Sequence, residues 1–277
     1  MPIKRYFSDE CFQRIENDFG FLSGILKGFY GEIELSFREN YFNLYYRGNS
    51  VAKVKLKKDG HYDITIHKKF CSKSIEDDRR FSAIPAKEYK IFNVQSNLLR
   101  SFFQKRNLDG ILANIKDENY SEELAFEQIL ITDNFDRKDI IVIDRQITDA
   151  KLDRKRMDIL ALKQVQENNY SFLVLEVKMG NNPELKANVA EQISSYMRHV
   201  QDNFPEYKYC YEKQYEQKKR LGLISTPQWQ QIIIVPEVGG LVVVGVYSGV
   251  AREQISELKK AYPNLKVWQS QMLLPSE

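Results

Sequence analysis

Two apolar segments in the second half of the chain, KRMDILALK and SFLVLEVKM, alternate in the way that is typical of β-strands. Successive side chains on a strand point to opposite faces, so Glu176 and Lys178 share one face with Phe172 and Val174. The polar stretch QENNY lies between the two segments. It predicts a hairpin that turns near Glu167.

The first ninety or so residues carry a second alternating pattern. A helical segment around Asp9 to Phe19 is followed by four stretches within residues 31–70 that are typical of successive strands. The dipeptide Asp59–Gly60 between two of them is a strong hairpin signal. We expect an antiparallel meander of about four strands, followed over residues 88–120 by one or two helices.

Helical spacing returns in the second half of the chain. Ser121 predicts the N-cap of a helix in SEELAFEQILITD, and a further helix is predicted in MGNNPELKANVAEQISSYMRHV. GVAREQISELKKAYPN predicts a terminal helix that turns Ile255, Leu258 and Tyr262 inward to cover a sheet face.

Two other stretches of the second half need separate interpretation. QIIIVPEVGGLVVVGVYSGVA is interrupted at Pro236, Glu237, Gly239 and Gly240, which favours two short buried strands around a turn over a membrane span. FPEYKYCYEKQYEQKKRLGL alternates tyrosines with lysines. Either it forms a surface that stacks bases, or it is an amphipathic helix whose tyrosines pack on the core.

These elements predict an α/β fold with a mixed central sheet flanked by helices, preceded by an antiparallel, β-rich α+β module. A chain of 277 residues exceeds one average domain. We therefore predict two domains. Residues 1–117 would form a recognition or regulatory domain, and residues 118–277 would carry the chemistry.

The charged residues of the hairpin are the strongest functional signal. A turn near Glu167 brings Asp158 opposite Glu176, on the face that also carries Lys178. Charges inside a sheet packed on both faces are costly unless they are paired or bound to a metal. Two carboxylates can hold Mg²⁺ or Mn²⁺ for phosphodiester hydrolysis. The alternative is a surface ion pair on ordinary strand ends, which contributes little to stability.

Further residues match a known pattern. Gln192 and Tyr196 lie one turn apart on the helix after Lys178, which gives Q-x-x-x-Y after E-x-K. Together with Asp158 these residues resemble the PD-(D/E)XK nuclease superfamily, the restriction-endonuclease-like fold, in its RecB-like branch. The resemblance covers about the last 160 residues. One departure is Met157, which stands where the superfamily often has proline.

The resemblance implies a role for each residue. Asp158 and Glu176 would ligate the metal, and Lys178 would position water or phosphate. Gln192 and Tyr196 would orient the substrate or the residues around the metal. The first-helix acid of the family is matched by Glu127, which lies between apolar neighbours. Glu123, four residues earlier and therefore on the same face, is the competing assignment.

Charge distribution suggests where nucleic acid would bind. Of the chain's 41 Lys and Arg residues, 21 lie in residues 1–120 against 16 of its 38 Asp and Glu residues, so basic excess belongs to the N-terminal part. Lys53, Lys55 and Lys57 share one face of a predicted strand. This stripe of three lysines either faces nucleic acid or is a solvated face that guards an edge strand.

Other residue types exclude several classes of protein. Cys11, Cys71 and Cys210 are widely separated and predict neither a disulfide framework nor a zinc site. Three scattered histidines argue against catalysis by a histidine-centred triad. The charged N-terminal residues do not form a signal peptide, so we expect a cytoplasmic protein.

The sequence thus predicts a metal-dependent nuclease acting on nucleic acid, with DNA favoured over RNA. The competing hypothesis is a binding or assembly module that keeps a nuclease fold without turnover. No membrane partner is expected, and a homodimer stays open.

Overall fold

The computed structural model describes residues 3–39, 41–118, 121–149, 152 and 156–271. The helices of the first half are α1 (Asp9–Phe19), α2 (Leu22–Lys27), α3 (Lys73–Glu76), α4 (Leu99–Phe102) and α5 (Lys105–Glu118), with a 3₁₀ turn at Ser96–Leu98. Its strands are β1 (Ile33–Arg38), β2 (Tyr41–Tyr46), β3 (Asn49–Leu56), β4 (Tyr62–His67), β5 (Ala83–Ala86) and β6 (Tyr89–Val94).

The strands of this half form one antiparallel sheet in the order β1-β2-β3-β4-β6-β5. The predicted helix α1 and the first four strands are confirmed. The prediction of helix from residue 88 is wrong at its start, because Tyr89–Val94 is a strand paired with β4. Its alternation of polar residues with Ile91, Phe92 and Val94 suits either structure over so few residues, and pairing with an open strand edge decides it.

The second half has helices α6 (Glu122–Asp133), α7 (Glu184–Ala187), α8 (Val189–Asp202), α9 (Phe204–Arg220) and α10 (Ser248–Ala261). Its strands are β7 (Ile140–Thr148), β8 (Arg156–Gln166), β9 (Asn169–Met179), β10 (Ile233–Gly245) and β11 (Val267–Gln269). They form a sheet in the order β11-β10-β9-β8-β7.

This central sheet is mixed. β9 pairs antiparallel with β8 and parallel with β10, and β11 adds a parallel edge strand. Together with the antiparallel N-terminal sheet it confirms the predicted fold class. The domain boundary proposed between residues 117 and 118 falls at the end of α5.

One long strand stands where two short ones were expected. β10 runs through Pro236 and Glu237 because its pairing with β9 shifts register between Ile234 and Val238, which absorbs the proline. Gly240 lies within this strand and does not form a turn. A Cβ there would lie 2.3 Å from the sulfur of Met197, so the missing side chain lets α8 approach the strand.

Helices cover both faces of the central sheet. Tyr207, Tyr211 and Tyr215 of α9 are fully buried in the apolar core that α8 and the sheet share, so the packing interpretation of this segment is confirmed. On the opposite face α6 buries Phe126 and Ile131. Within α10, Leu258 is buried as expected, whereas Tyr262 follows the helix end and is 38% exposed.

Buried and half-buried charged residues join the N-terminal sheet to the central sheet. Arg5, Arg38 and Asp144 form ion pairs at 3.1 and 3.5 Å, and Glu34 of β1 lies 3.7 Å from Arg145 of β7. β1 thus meets the edge strand β7 across a polar contact. Among the described residues there is no helix long and apolar enough to cross a membrane.

Candidate active site

The two central strands β8 and β9 form the predicted hairpin. The chain turns at Glu167, whose φ is +37°, and Ile159 pairs with Leu175. One step further along this register places Asp158 across from Glu176, so both side chains leave the same face. β8 and β9 are interior strands, and Asp158, Glu176 and Lys178 are 8, 2 and 6% exposed. The alternative of a surface ion pair is therefore wrong for these three residues.

Asp158 is anchored to the neighbouring strand by its own side chain. Its Oδ2 accepts a hydrogen bond from the backbone N–H of Val177 at 2.9 Å. Burial raises the pKa of Asp158, while the Val177 N–H and the ammonium of Lys178 act in the opposite direction, and the net shift is upward. The carboxyl group is thus held in place in surroundings that disfavour its charge.

Glu176 and Lys178 project two residues apart from the same strand. Lys178 Nζ lies 3.0 Å from Glu176 Oε1, whereas Glu176 Oε2 is buried and has no hydrogen-bond partner in the described chain. Burial and the nearby charge of Asp158 raise the pKa of Glu176. Burial lowers the pKa of Lys178, but the surrounding carboxylates outweigh it and the net shift is upward. Lys178 is therefore a protonated ammonium group surrounded by carboxylates.

The two candidate acids of α6 have different partners. Ser121 caps this helix as predicted, with its hydroxyl 3.4 Å from the backbone N of Leu124. Glu127 is 1% exposed and binds Arg145 at 2.7 Å and the amide of Gln146 at 2.9 and 3.0 Å. Burial, opposed by Arg145, raises its pKa to about 7. Both Glu127 oxygens thus already accept hydrogen bonds from side chains.

The charge of Lys178 acts on Glu123, the other candidate acid of α6. Burial raises the pKa of Glu123, the ammonium of Lys178 acts in the opposite direction, and the net shift is upward. The assignment of Glu127 as the family's first-helix acid remains a prediction. Because the charges of Lys178 and Asp158 both act on the pKa of Glu123, it stays the competing assignment.

Gln192 and Tyr196 lie on α8, as predicted, with different contacts. The hydroxyl of Tyr196 donates to the backbone carbonyl of Arg156 at 3.1 Å, two residues before Asp158. Burial, with the negative charges of Glu176 and Asp158, raises the pKa of Tyr196 to about 12. Gln192 Oε1 is buried and finds no hydrogen-bond donor among the described residues.

The lysine stripe lies on the N-terminal sheet. Lys53 and Lys55 are on β3, and Lys57 follows its last residue. Lys53 Nζ lies 4.2 Å from the centre of the Tyr41 ring, and Lys57 forms an ion pair with Asp63 at 3.3 Å. Lys55 is exposed. Two of the three lysines thus have partners within the protein, and a role in binding nucleic acid stays a prediction.

The donor set near Asp158 fits a hard divalent cation. Asp158 and Glu176 supply carboxylate oxygens on adjacent strands, and Glu176 Oε2 lacks a partner. Mg²⁺ is commonly bound by one or two carboxylates together with water and substrate phosphates. Within the described ranges no group of three or more His, Cys, Asp or Glu residues is arranged to hold a metal ion. Water and substrate would have to complete the coordination.

Two residues with contacts to the site were missed at the sequence level. Glu184 of α7 pairs with Lys178 at 3.0 Å, and Arg145 of β7 pairs with Glu127. Glu184 follows Lys178 by six residues across a Gly-Asn-Asn-Pro turn, and that proximity was an available signal. Nothing local marks Arg145, because its partners come from α6 and β1.

Comparison with known proteins adds little to this geometry. No family model matches the sequence, and no curated protein matches it. Among solved structures, a repair endonuclease from Pyrococcus abyssi is similar at 13% sequence identity. The match covers 97% of this chain and 98% of that chain with a TM-score of 0.25. Because so low a score establishes neither fold nor function, the proposals below depend on the site itself.

Proposed function

We propose that the protein is a metal-dependent nuclease that hydrolyses phosphodiester bonds, with DNA as its substrate. The observation that carries this proposal is the buried pair Asp158 and Glu176 beside Lys178, with Glu176 Oε2 left without a partner. Buried like charges repel each other, and Lys178 supplies one positive charge against two acids. A divalent cation between the carboxylates would balance them.

Each residue has a proposed task in that reaction. Asp158 and Glu176 would hold Mg²⁺ or Mn²⁺, which when bound lowers the pKa of a water molecule and withdraws charge from the phosphate. Lys178 would orient the attacking water or contact the scissile phosphate through its ammonium. An ammonium has three N–H donors, and the contacts with Glu176 and Glu184 engage two of those of Lys178.

The remaining residues would support this arrangement. Tyr196 donates a hydrogen bond to the backbone carbonyl of Arg156, two residues before Asp158. This contact would help to position the Asp158 carboxylate. Glu127 pairs with the buried Arg145 at the edge of the site. Gln192, with an unpartnered buried oxygen, would contact either substrate or bound water.

The proposal is tested by cleavage assays on linear, circular, single-stranded and double-stranded DNA and on RNA. We expect cleavage with Mg²⁺ or Mn²⁺ and none with excess chelator, while Ca²⁺ should permit binding with little turnover. Lys178→Ala should abolish cleavage and leave binding largely intact, because the lost interaction acts mainly in the transition state.

Asp158→Asn and Glu176→Gln should each lose both cleavage and Mn²⁺ binding measured by calorimetry. Glu191→Gln is a matched control, since it removes one exposed carboxylate from α8. Full activity in chelator would refute the metal mechanism. Nucleic-acid binding without cleavage under every metal condition would instead establish the competing function, a binding module that keeps the fold.

A further inference from the structure

Gln146 of β7 lies across from Asp158 in the central sheet. The two strands are antiparallel, and their pairing continues on both sides of this position, Arg145 with Ile159 and Ile147 with Met157. The Cα atoms of residues directly across such a pair are about 4.5–5.5 Å apart. Asp158 is thus flanked by Gln146 on β7 and by Glu176 on β9.

The backbone of Gln146 is strained. Its φ is +50°, in the left-handed region that residues other than glycine rarely adopt. Consecutive side chains of a strand ordinarily point to opposite faces, yet Arg145 and Gln146 both bind Glu127 of α6. The left-handed backbone accounts for this break in the alternation. Strain of this kind persists only where the surrounding structure imposes it, and it is concentrated at functional sites.

The two ends of the Gln146 amide have different surroundings. Its Nε2 donates to the two oxygens of Glu127 at 3.0 and 2.9 Å. A carboxylate has no hydrogen to donate, so the nitrogen end of the amide is the end that faces Glu127. Gln146 Oε1 is buried and has no hydrogen-bond partner in the described part of the chain. A buried acceptor of this kind requires a donor or a cation from outside the chain.

The amide oxygen is a ligand of the right chemical type for the candidate metal site. Carboxylate and carbonyl oxygens suit Mg²⁺ and Mn²⁺. Asp158 and Glu176 supply carboxylates from adjacent strands, and Gln146 adds a neutral oxygen from the next strand in the same row. Burial and the charge of Asp158 both raise the pKa of Glu127, the acid that the amide binds. A neutral ligand adds an oxygen without adding repulsion between buried carboxylates.

We propose that Gln146 is a third protein ligand of the metal ion, which its side-chain oxygen binds together with Asp158 and Glu176. This inference deepens the proposed function and rests on it, because it assigns a further residue to the same metal site. The hydrogen bonds from Nε2 to Glu127 fix which end of the amide is available to the ion.

The test uses two variants that lose the amide oxygen. Gln146→Gly removes the side chain, and glycine adopts a φ of +50° without strain. Gln146→Met keeps an unbranched side chain but replaces the amide with a soft thioether, which hard cations do not favour. Gln166→Ala is the matched control, since it removes an exposed glutamine from the far end of β8. Each protein is titrated with Mn²⁺ by calorimetry, and the water molecules on the bound ion are counted by water-proton relaxation.

We expect both Gln146 variants to bind Mn²⁺ about 10-fold or more weakly, as is found even for residues that only orient metal ligands. The bound ion should carry about one additional water molecule in place of the lost ligand. Gln166→Ala should match the parent protein in both measurements. A residue that only supports Glu127 would alter stability or cleavage and leave the number of water molecules unchanged. Weaker binding without the added water would therefore overturn ligation by Gln146.

The outcomes separate this inference from the proposed function. A parent protein that neither binds Mn²⁺ nor cleaves nucleic acid would end the proposed function and this inference with it. A parent protein that does both, with Mn²⁺ affinity and bound water unchanged in Gln146→Gly, would overturn the role of Gln146 alone. If Gln146→Gly does not fold, the same unchanged values in Gln146→Met would overturn that role equally.

Discussion

Asp144 lies fully buried where the N-terminal segment meets the central sheet. Its carboxylate lies 3.1 Å from Arg5 and 3.5 Å from Arg38, and it accepts a hydrogen bond from Tyr211 at 3.2 Å. Burial raises the pKa of Asp144, but Arg5, Arg38 and Lys218 outweigh it, so the net shift is downward from 3.8. The buried Asp144 carboxylate is thus surrounded by three cations from different parts of the chain, of which Arg5 and Lys218 are buried and Arg38 is half-buried.

We predict that Asp144→Asn destabilises the protein by about 3–5 kcal/mol at pH 7, because it leaves the buried cations without their counter-charge. A lowered pKa means that the carboxylate stabilises the fold above about pH 4. That contribution should disappear as the pH falls below 3.8 towards the folded-state pKa. Urea unfolding of both proteins at a series of pH values measures the difference.

The control for Asp144 is Glu39→Gln, which removes an exposed partner of Lys4 and should change stability little. A stability difference for Asp144→Asn that stays the same from pH 7 to pH 3 would contradict the ionic interpretation. It would point to shape or hydrogen bonding at this position.

At the scale of elements, the end of β9 approaches β10 and α10 closely because residue 180 is glycine. A Cβ at Gly180 would lie 2.3 Å from the carbonyl oxygen of Val246 and 2.9 Å from the Cβ of Ala251. The backbone N–H of Gly180 donates to the carbonyl of Gly245 at 2.8 Å. This approach fixes the strand end two residues after Lys178.

We predict that Gly180→Ala costs about 1–3 kcal/mol, since backbone atoms would have to move to admit the methyl group. The melting temperature, followed by circular dichroism, should fall accordingly. Gly249→Ala is the matched control, because no heavy atom lies within 4 Å of its added Cβ and the position belongs to α10. The control should be neutral or slightly stabilising. Equal stability of the two variants would show that the close approach relaxes freely.

At the scale of the whole molecule, the N-terminal sheet and the central sheet are linked through a shared cation. Arg145 is 1% exposed and lies between Glu127 of α6 and Glu34 of β1, at 2.7 and 3.7 Å. The N-terminal sheet therefore contributes a charge next to the candidate active site. Nucleic-acid binding on the N-terminal sheet and phosphodiester hydrolysis at the central sheet would then take place in two linked parts of one structure.

We predict that replacing Lys53, Lys55 and Lys57 with glutamine weakens nucleic-acid binding and flattens its dependence on salt. Each phosphate contact that is lost should reduce the slope of log K against log salt by up to about 0.9. Binding is measured over a salt series, with Lys68, Lys69 and Lys87 replaced by glutamine as a control of equal charge. If both triple variants bind alike, the lysine stripe is a solvated face.

Local patterning was sufficient for much of the fold. Alternation predicted the first four strands and the hairpin of β8 and β9, and helical spacing with a capping serine predicted α6 and α8. It also predicted the hairpin register that puts Asp158 across from Glu176, and the observed pair Ile159–Leu175 lies one step along that register. These features depend on residues that are close together in the sequence, so they can be predicted from it.

Long-range packing decided the rest. Six residues of β6 became a strand because β4 offered an unpaired edge, and Tyr207, Tyr211 and Tyr215 of α9 were buried because the central sheet lies beneath them. The partners of Glu127 and His199, and the second partner of Lys178, Glu184, come from other parts of the fold. Periodicity tells which face of an element a side chain occupies, but which groups meet that face depends on how the elements pack.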